Sequence, residues 1–225
     1  DLDPLGAEPG VTVTIVQPGD PIPGDADIVL LPGSKAVRAD LAVLRAEGWD
    51  IDIRAHVRRG GIVVGLCGGY QMLGNSVADP EGIEGPTGTS EGLGMLDVDT
   101  VLAGNKTLSE AEAIEAGTGA TVRGYEMHMG VTTGPGLARP MLDFGGRMDG
   151  AVSPDGRVMG CYLHGLFAAD EFRAAFLSRI RNGHVAGAAY ESQVEDILDR
   201  LAAHLETHVD IDGLLAISSA ASTPA

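Results

Sequence analysis

Short apolar runs alternate with amphipathic stretches through the first third of the chain. Ile28–Leu31 is four apolar residues closed by Pro32-Gly33, and Ile62-Val63-Val64-Gly65-Leu66 is a second such run. Both read as strands buried on two faces, each entering a turn. Between them, Ala39–Ala46 and Ile51–Arg59 carry helical spacing, the second stretch closed by Gly60-Gly61. Strand, helix and strand in this order predict a parallel sheet with right-handed crossovers, whose ligands gather beyond the carboxyl ends of the strands. Val11–Val16 alternates β-branched residues and predicts an earlier strand, followed by a loop with three prolines over Gln17–Asp27.

Periodicity weakens from Asn75 to Gly119, which reads as loops around one strand at Leu96–Leu102, with the acidic stretch Ser109–Glu115 as a solvated loop or short helix. Val122–Met129, Gly150–Ser153 and Val158–Leu163 predict later strands, and Glu171–Arg181 a helix. Val194, Ile197, Leu198, Leu201 and Leu205 share one face of a final amphipathic helix, and Ser218–Ala225 is small and polar enough to fray. The expected fold is α/β, a mostly parallel central sheet flanked by helices, with additional strands. The Pro/Gly-rich residues 1–10 read as a linker, 11–215 as the domain, and 216–225 as a flexible tail.

Charge and cysteine usage narrow the function classes. A formal net charge of −17 over 225 residues argues against nucleic acid and against an anionic membrane surface, both of which are bound by clustered Lys and Arg. The apolar runs are far too short to span a bilayer, and the first residues have neither a basic flank nor an apolar stretch. Two cysteines, Cys67 and Cys161, make no disulfide framework, so a reduced, cytoplasmic setting is expected. The absence of an initiating Met suggests a piece of a longer protein.

The densest chemistry lies in Gly65-Leu66-Cys67-Gly68-Gly69-Tyr70-Gln71. A strand runs into this segment and a short helix is expected to leave it, which places Cys67 on a sharp turn at a helix N-terminus, where the dipole favours a thiolate. Gly68 presents a backbone N–H beside the sulfur, where an oxyanion would form. Gly160-Cys161-Tyr162-Leu163-His164-Gly165 delivers His164 at the end of an apolar strand, within reach of Cys67 if both belong to one sheet, as general base and then acid. Cys161, inside that strand, reads as a small core residue. The turn Pro32-Gly33-Ser34 offers a second oxyanion donor at Gly33. Glu126 and His128 stand two apart on one face of a strand and could orient the site, meet a partner, or satisfy a structural network. His204 and His208 are spaced i, i+4 without a third ligand, and no metal is expected there.

The pattern Gly-x-Cys-x-Gly-x-Gln with a distant His after a strand resembles the class I (triad-type) glutamine amidotransferases, whose core is flavodoxin-like. Gly124-Tyr125-Glu126-Met127-His128-Met129-Gly130, and Gly68–Gly74 followed by Asp79-Pro80-Glu81-Gly82-Ile83-Glu84-Gly85, resemble the cobyric acid synthase group, over about residues 11–215. The resemblance implies a C-terminal glutaminase half. It would hydrolyse glutamine through Cys67 and His164, with Gln71 shaping the glutamine pocket. The missing N-terminal synthetase domain would use ATP and Mg to amidate a corrinoid, adenosylcobyrinic acid a,c-diamide, on the way to cobalamin. No cofactor is expected in this chain, which lacks a Gly-x-x-x-x-Gly-Lys-Ser/Thr loop. Alternatives are a glutaminase subunit of another cobalamin or cell-wall amidoligase, a cysteine peptidase or hydrolase, and a non-catalytic assembly module. Triad enzymes usually carry Glu two residues after the catalytic His; here Leu166 stands there, and His164 has no orienting carboxylate evident in the sequence.

Overall fold

A computed structural model describes residues 1–104, 107–180, 187 and 189–221. The chain divides into two compact units, Asp1–Ala188 and Ala189–Ala225. In the second unit, the helix Tyr190–His208 carries the predicted apolar stripe, and a further helix spans Ile211–Ala221. That second helix replaces the flexible tail expected from residue 216, and the last four residues of the tail lie outside the described residues. The first unit carries all the candidate chemistry.

Its centre is a four-stranded sheet in the order Ile28–Leu31, Ile62–Leu66, Val158–Cys161, Ala151–Val152. The first three strands are parallel, with Leu31 opposite Gly65 and Cys161 opposite Leu66, and the last is antiparallel. Successive residues point to opposite faces. Val63 therefore joins a core with Leu41, Ile53, Tyr70 and Leu73, while Val64 and Leu66 join one with Leu163, Phe167, Phe172 and Phe176. The helices Val37–Ala46 and Trp49–Arg58 follow the first strand closely as the pattern predicts.

Two further sheets were not legible. Ser76–Asp79, Gly88–Glu91, Asp99–Val101 and Val131–Thr133 form one. Thr107–Glu115, Thr121–His128, Leu163–His164 and the short strands Leu142–Asp143 and Met148–Asp149 form the other. The acidic stretch at Ser109–Glu115 is thus neither loop nor helix. The strand that contains it, Thr107–Glu115, pairs antiparallel with Thr121–His128 through eight residues, and charged side chains on a half-exposed strand obscured its period. Only Asp99–Val101 of the expected Leu96–Leu102 strand is paired; Leu96, Val98 and Leu102 are buried from irregular backbone. Val11–Val16 forms no strand, since no sheet edge pairs with it. The helix expected at Glu171–Arg181 runs Asp170–Ile180, and Arg181 lies outside the described residues.

Residues 1–10 are no linker. Asp3–Gly6 forms a helical turn, Leu5 enters the core, and Glu8 is buried against Arg173 at 2.6 Å. Both side chains of that pair are fully buried, and Arg173 also donates to the carbonyls of Phe167 and Ala168 and to Asp170. Removing one partner of a buried pair strands the other charge in low dielectric. Arg173→Ala should therefore lower unfolding free energy by about 3–5 kcal/mol in urea titrations. Arg123→Ala, which breaks the exposed pair with Glu112, should cost less than about 1 kcal/mol.

Candidate active site

Cys67 ends the central strand and caps the helix Gly68–Leu73 with φ 52° and ψ −110°, the only positive-φ residue other than glycine among those described. Such a conformation costs a non-glycine residue of order 1–3 kcal/mol and persists only where surrounding contacts enforce it. Here they do. The Cys67 amide donates to the Cys161 carbonyl at 2.8 Å, and the Cys67 carbonyl accepts from Gln71 N at 3.1 Å. Gly69 lies so close to the first strand that a Cβ there would overlap the Leu31 carbonyl oxygen. The short helix is therefore pressed onto the sheet, with its N-terminus at Cys67.

The expected single strand Val158–Leu163 is broken at Tyr162. Up to Cys161 the chain pairs with the cysteine strand; from Leu163 it pairs with Thr121–His128 in the neighbouring sheet, His164 opposite Tyr125. His164 thus reaches the site from the second sheet, not from the sheet of Cys67 as expected. It still arrives beside the cysteine. A Cβ built on Gly33 would lie 2.8 Å from His164 Cε1, 3.5 Å from its Nε2 and 3.7 Å from Cys67 Cβ. Gly33, Cys67 and the imidazole edge therefore surround one small volume. Gly68 closes it from below, within 2.7 Å, by the same construction, of the Ser34 amide nitrogen. The four residues singled out as nucleophile, base and oxyanion donors come together.

The remaining candidates sit behind them. Gln71 is buried, and its amide donates to the Met129 carbonyl and the Tyr162 hydroxyl, both at 3.2 Å. Its side chain is thus turned into the protein interior and held there. Glu126 is held by Arg147 through two bonds of 3.1 and 2.6 Å and does not orient His164. His128 stacks on Tyr162 with ring centroids 3.9 Å apart, and burial lowers its pKa, which favours the neutral ring. The Tyr162 hydroxyl meets Thr132 at 2.5 Å, extending a buried polar network under the cysteine turn. Burial likewise raises the Cys161 thiol pKa, which fits an inert core residue.

Three contacts escaped the sequence. The Cys67 thiol donates to the Met127 carbonyl at 3.4 Å, so the Tyr-Glu-Met-His strand walls the sulfur with its backbone. Tyr125 stacks on the His164 ring, centroids 5.1 Å apart and planes within 10°. Gly124 permits the close pairing, since a Cβ there would overlap the His164 carbonyl oxygen. Finally, His164 Nδ1 lies 2.9 Å from the Asp1 carboxylate, whose other oxygen accepts from Gly165 N at 2.7 Å. No local spacing could have revealed a partner 163 residues away.

Residues 1–172 match the family described as the CobB/CobQ-like glutamine amidotransferase domain. The chain is 58% identical over 218 residues to a cobyric acid synthase of Cereibacter sphaeroides and 59% identical over 218 residues to one of Rhodobacter capsulatus. Each alignment takes in 97% of this chain and 45% of the relative, so the chain spans about half the length of these curated relatives. Among solved structures, a glutamine amidotransferase shares the fold with TM-score 0.50 and 16% identity, covering 70% of this chain and 80% of the other. PurLQS of Thermotoga maritima does so with TM-score 0.50 and 19% identity, covering 73% and 82%.

The two cysteines should differ sharply towards iodoacetamide. Mass spectrometry of the native chain is expected to find the carbamidomethyl group on Cys67 alone, with Cys161 modified only after denaturation; native labelling of Cys161 would contradict its core placement.

Proposed function

Since this chain belongs to the CobB/CobQ-like glutamine amidotransferase domain family, we propose that its site hydrolyses glutamine to glutamate and ammonia and serves an ATP-driven amidation of a corrinoid carried out by the longer protein. The observation that carries the reading is the shared volume between Gly33, Cys67 and His164. The Cys67 thiol passes its proton to His164 and the sulfur attacks the side-chain amide carbon of glutamine. A C–S bond forms and the carbonyl oxygen becomes an oxyanion, held by the N–H groups of Gly33 and Gly68. Collapse breaks the C–N bond, and His164 returns the proton to the departing ammonia. His164 then takes a proton from water, which attacks the thioester; the C–S bond breaks and glutamate leaves with the thiol restored.

The amidation partner, an ATP- and Mg-using synthetase region, and its substrate adenosylcobyrinic acid a,c-diamide belong to this proposal. The likeness to the two cobyric acid synthases, of which this chain covers 45%, supports it. The cytoplasm is proposed as the setting; among the described residues no helix is long and apolar enough to cross a membrane.

Glutamate release from glutamine tests the reading. Cys67→Ala should abolish it while leaving the melting temperature near that of the parent. Gly33→Ala places a methyl group against the imidazole and should slow release about 10²-fold, the usual consequence of misplacing a reacting group by about 1 Å. Undiminished release from Cys67→Ala would sink the mechanism.

A further inference from the structure

The proposed hydrolysis asks His164 to gain and lose a proton at Nε2 while its ring stays aimed at Cys67. An imidazole does this well when Nδ1 keeps its proton and a carboxylate holds it, fixing the tautomer and favouring the transient imidazolium. The usual position for such a carboxylate, two residues beyond the histidine, is Leu166, which is fully buried in the core. Glu126, the nearest acidic candidate by sequence motif, is committed to Arg147.

We propose that Asp1 is the positioning carboxylate of the site, delivered to His164 by the segment that precedes the first strand of the central sheet. This rests on the glutaminase reading for its consequence, but its geometry stands independently. Asp1 Oδ2 meets His164 Nδ1 at 2.9 Å, and Oδ1 accepts from the amide of Gly165 at 2.7 Å. The two bonds lock both oxygens, so the carboxylate has one orientation relative to the ring. The His164 and Asp1 side chains are 12% and 15% exposed, although Asp1 as a whole residue is exposed, so water screens the interaction only in part.

The segment is also anchored to the elements that carry the histidine. Leu5 packs in the core beside Leu163, Leu166 and Phe167. Glu8 grips Arg173, and Arg173 in turn holds the carbonyls of Phe167 and Ala168, three and four residues beyond His164. Asp1 and His164 are therefore fixed to a common frame at two levels: directly, and through the buried pair seven residues away. Tyr125, stacked on the ring's face, limits the remaining freedom to rotation in the ring plane, which the carboxylate stops.

With Nδ1 engaged by Asp1, Nε2 is the nitrogen left for the site, 3.5 Å from where a Cβ on Gly33 would stand. The Asp1 charge also supports the imidazolium that forms when His164 takes the Cys67 proton.

The test uses the full-length protein containing this chain, with Asp1→Asn, Asp1→Glu and the nearby exposed control Asp3→Asn. Two readouts are taken: glutamate release, and the rate of Cys67 alkylation by iodoacetamide across pH 5–9. Asp1→Asn should lower kcat for glutamate release about 10²-fold or more with KM for glutamine changed less than about threefold, as expected when a tautomer-fixing carboxylate is lost. Its alkylation profile should move to higher pH, since loss of the Asp1 charge weakens support for the imidazolium beside the thiolate. Asp1→Glu should recover part of both, and Asp3→Asn should match the parent. The alkylation profile needs no glutamine turnover. A parent enzyme that releases no glutamate would defeat the glutaminase reading, while the shifted profile would still uphold the positioning role. An unshifted alkylation profile in a folded Asp1→Asn protein overturns the inference, as does a loss of kcat that tracks a lowered melting temperature at unchanged pH dependence. Should Asp1→Asn fail to fold, Asp1→Glu decides alone: a displaced alkylation profile with reduced kcat in a folded protein upholds the role, and a parent-like profile overturns it.

Discussion

The hydrogen bond from the Cys67 amide to the Cys161 carbonyl, 2.8 Å long, joins the two halves of the site. It is the last rung between the two central strands, and immediately beyond it both strands leave the sheet. On one side the backbone turns sharply through Cys67 into the short helix. On the other, Tyr162 carries the chain out of one ladder and Leu163 enters another. Parallel pairing sets the register of the two departures, because Cys161 stands opposite Leu66. A slip of one residue would reverse which side chains face the core and would separate nucleophile from base.

The strain at Cys67 is offset by packing that leaves the turn no alternative. Gly69 abuts the Leu31 carbonyl, Gly65 lies under Leu73, and Tyr70 is wholly buried between the helix and the sheet. These contacts need several small residues in sequence, so the glycine spacing around the cysteine is a packing requirement as much as a chemical one. The Gly33 turn follows the same logic from the neighbouring strand. Its lack of a side chain leaves room for the imidazole edge, and a larger residue would compete with His164 for that space.

How far the sequence disclosed this depended on the kind of contact. Buried parallel strands, their closing turns and the adjoining helices were legible because they are written locally, as apolar runs ended by glycine. Cys67, Gly68, Gly33 and His164 were legible for the same reason: each follows such a run. The second and third sheets were obscured because their strands are polar on one or both faces, as in Gly88–Glu91 and Thr107–Glu115. The sheet change at Tyr162 left no mark at all, since Val158–Leu163 is apolar throughout. The opening residues were misjudged because Pro and Gly suggested a linker. A buried Glu8 cannot be recognised without its partner, and Arg173 lies 165 residues away.

That buried pair bears on how so short a segment can be held accurately. Leu5 alone would supply apolar contact, but such contact is non-directional and tolerates sliding. A guanidinium bonded at once to Glu8, to Asp170 and to two backbone carbonyls has one arrangement, and it transmits that arrangement to the chain on both sides. An ion pair in this setting contributes little net stability over a well-packed apolar substitute, since desolvation of both charges opposes their attraction. Its value here lies in register. Once Glu8 is fixed against the turn that follows His164, the helical turn Asp3–Gly6 spans the remaining distance and leaves the first carboxylate at the imidazole. The buried arginine thus ties that stretch to the turn that follows His164.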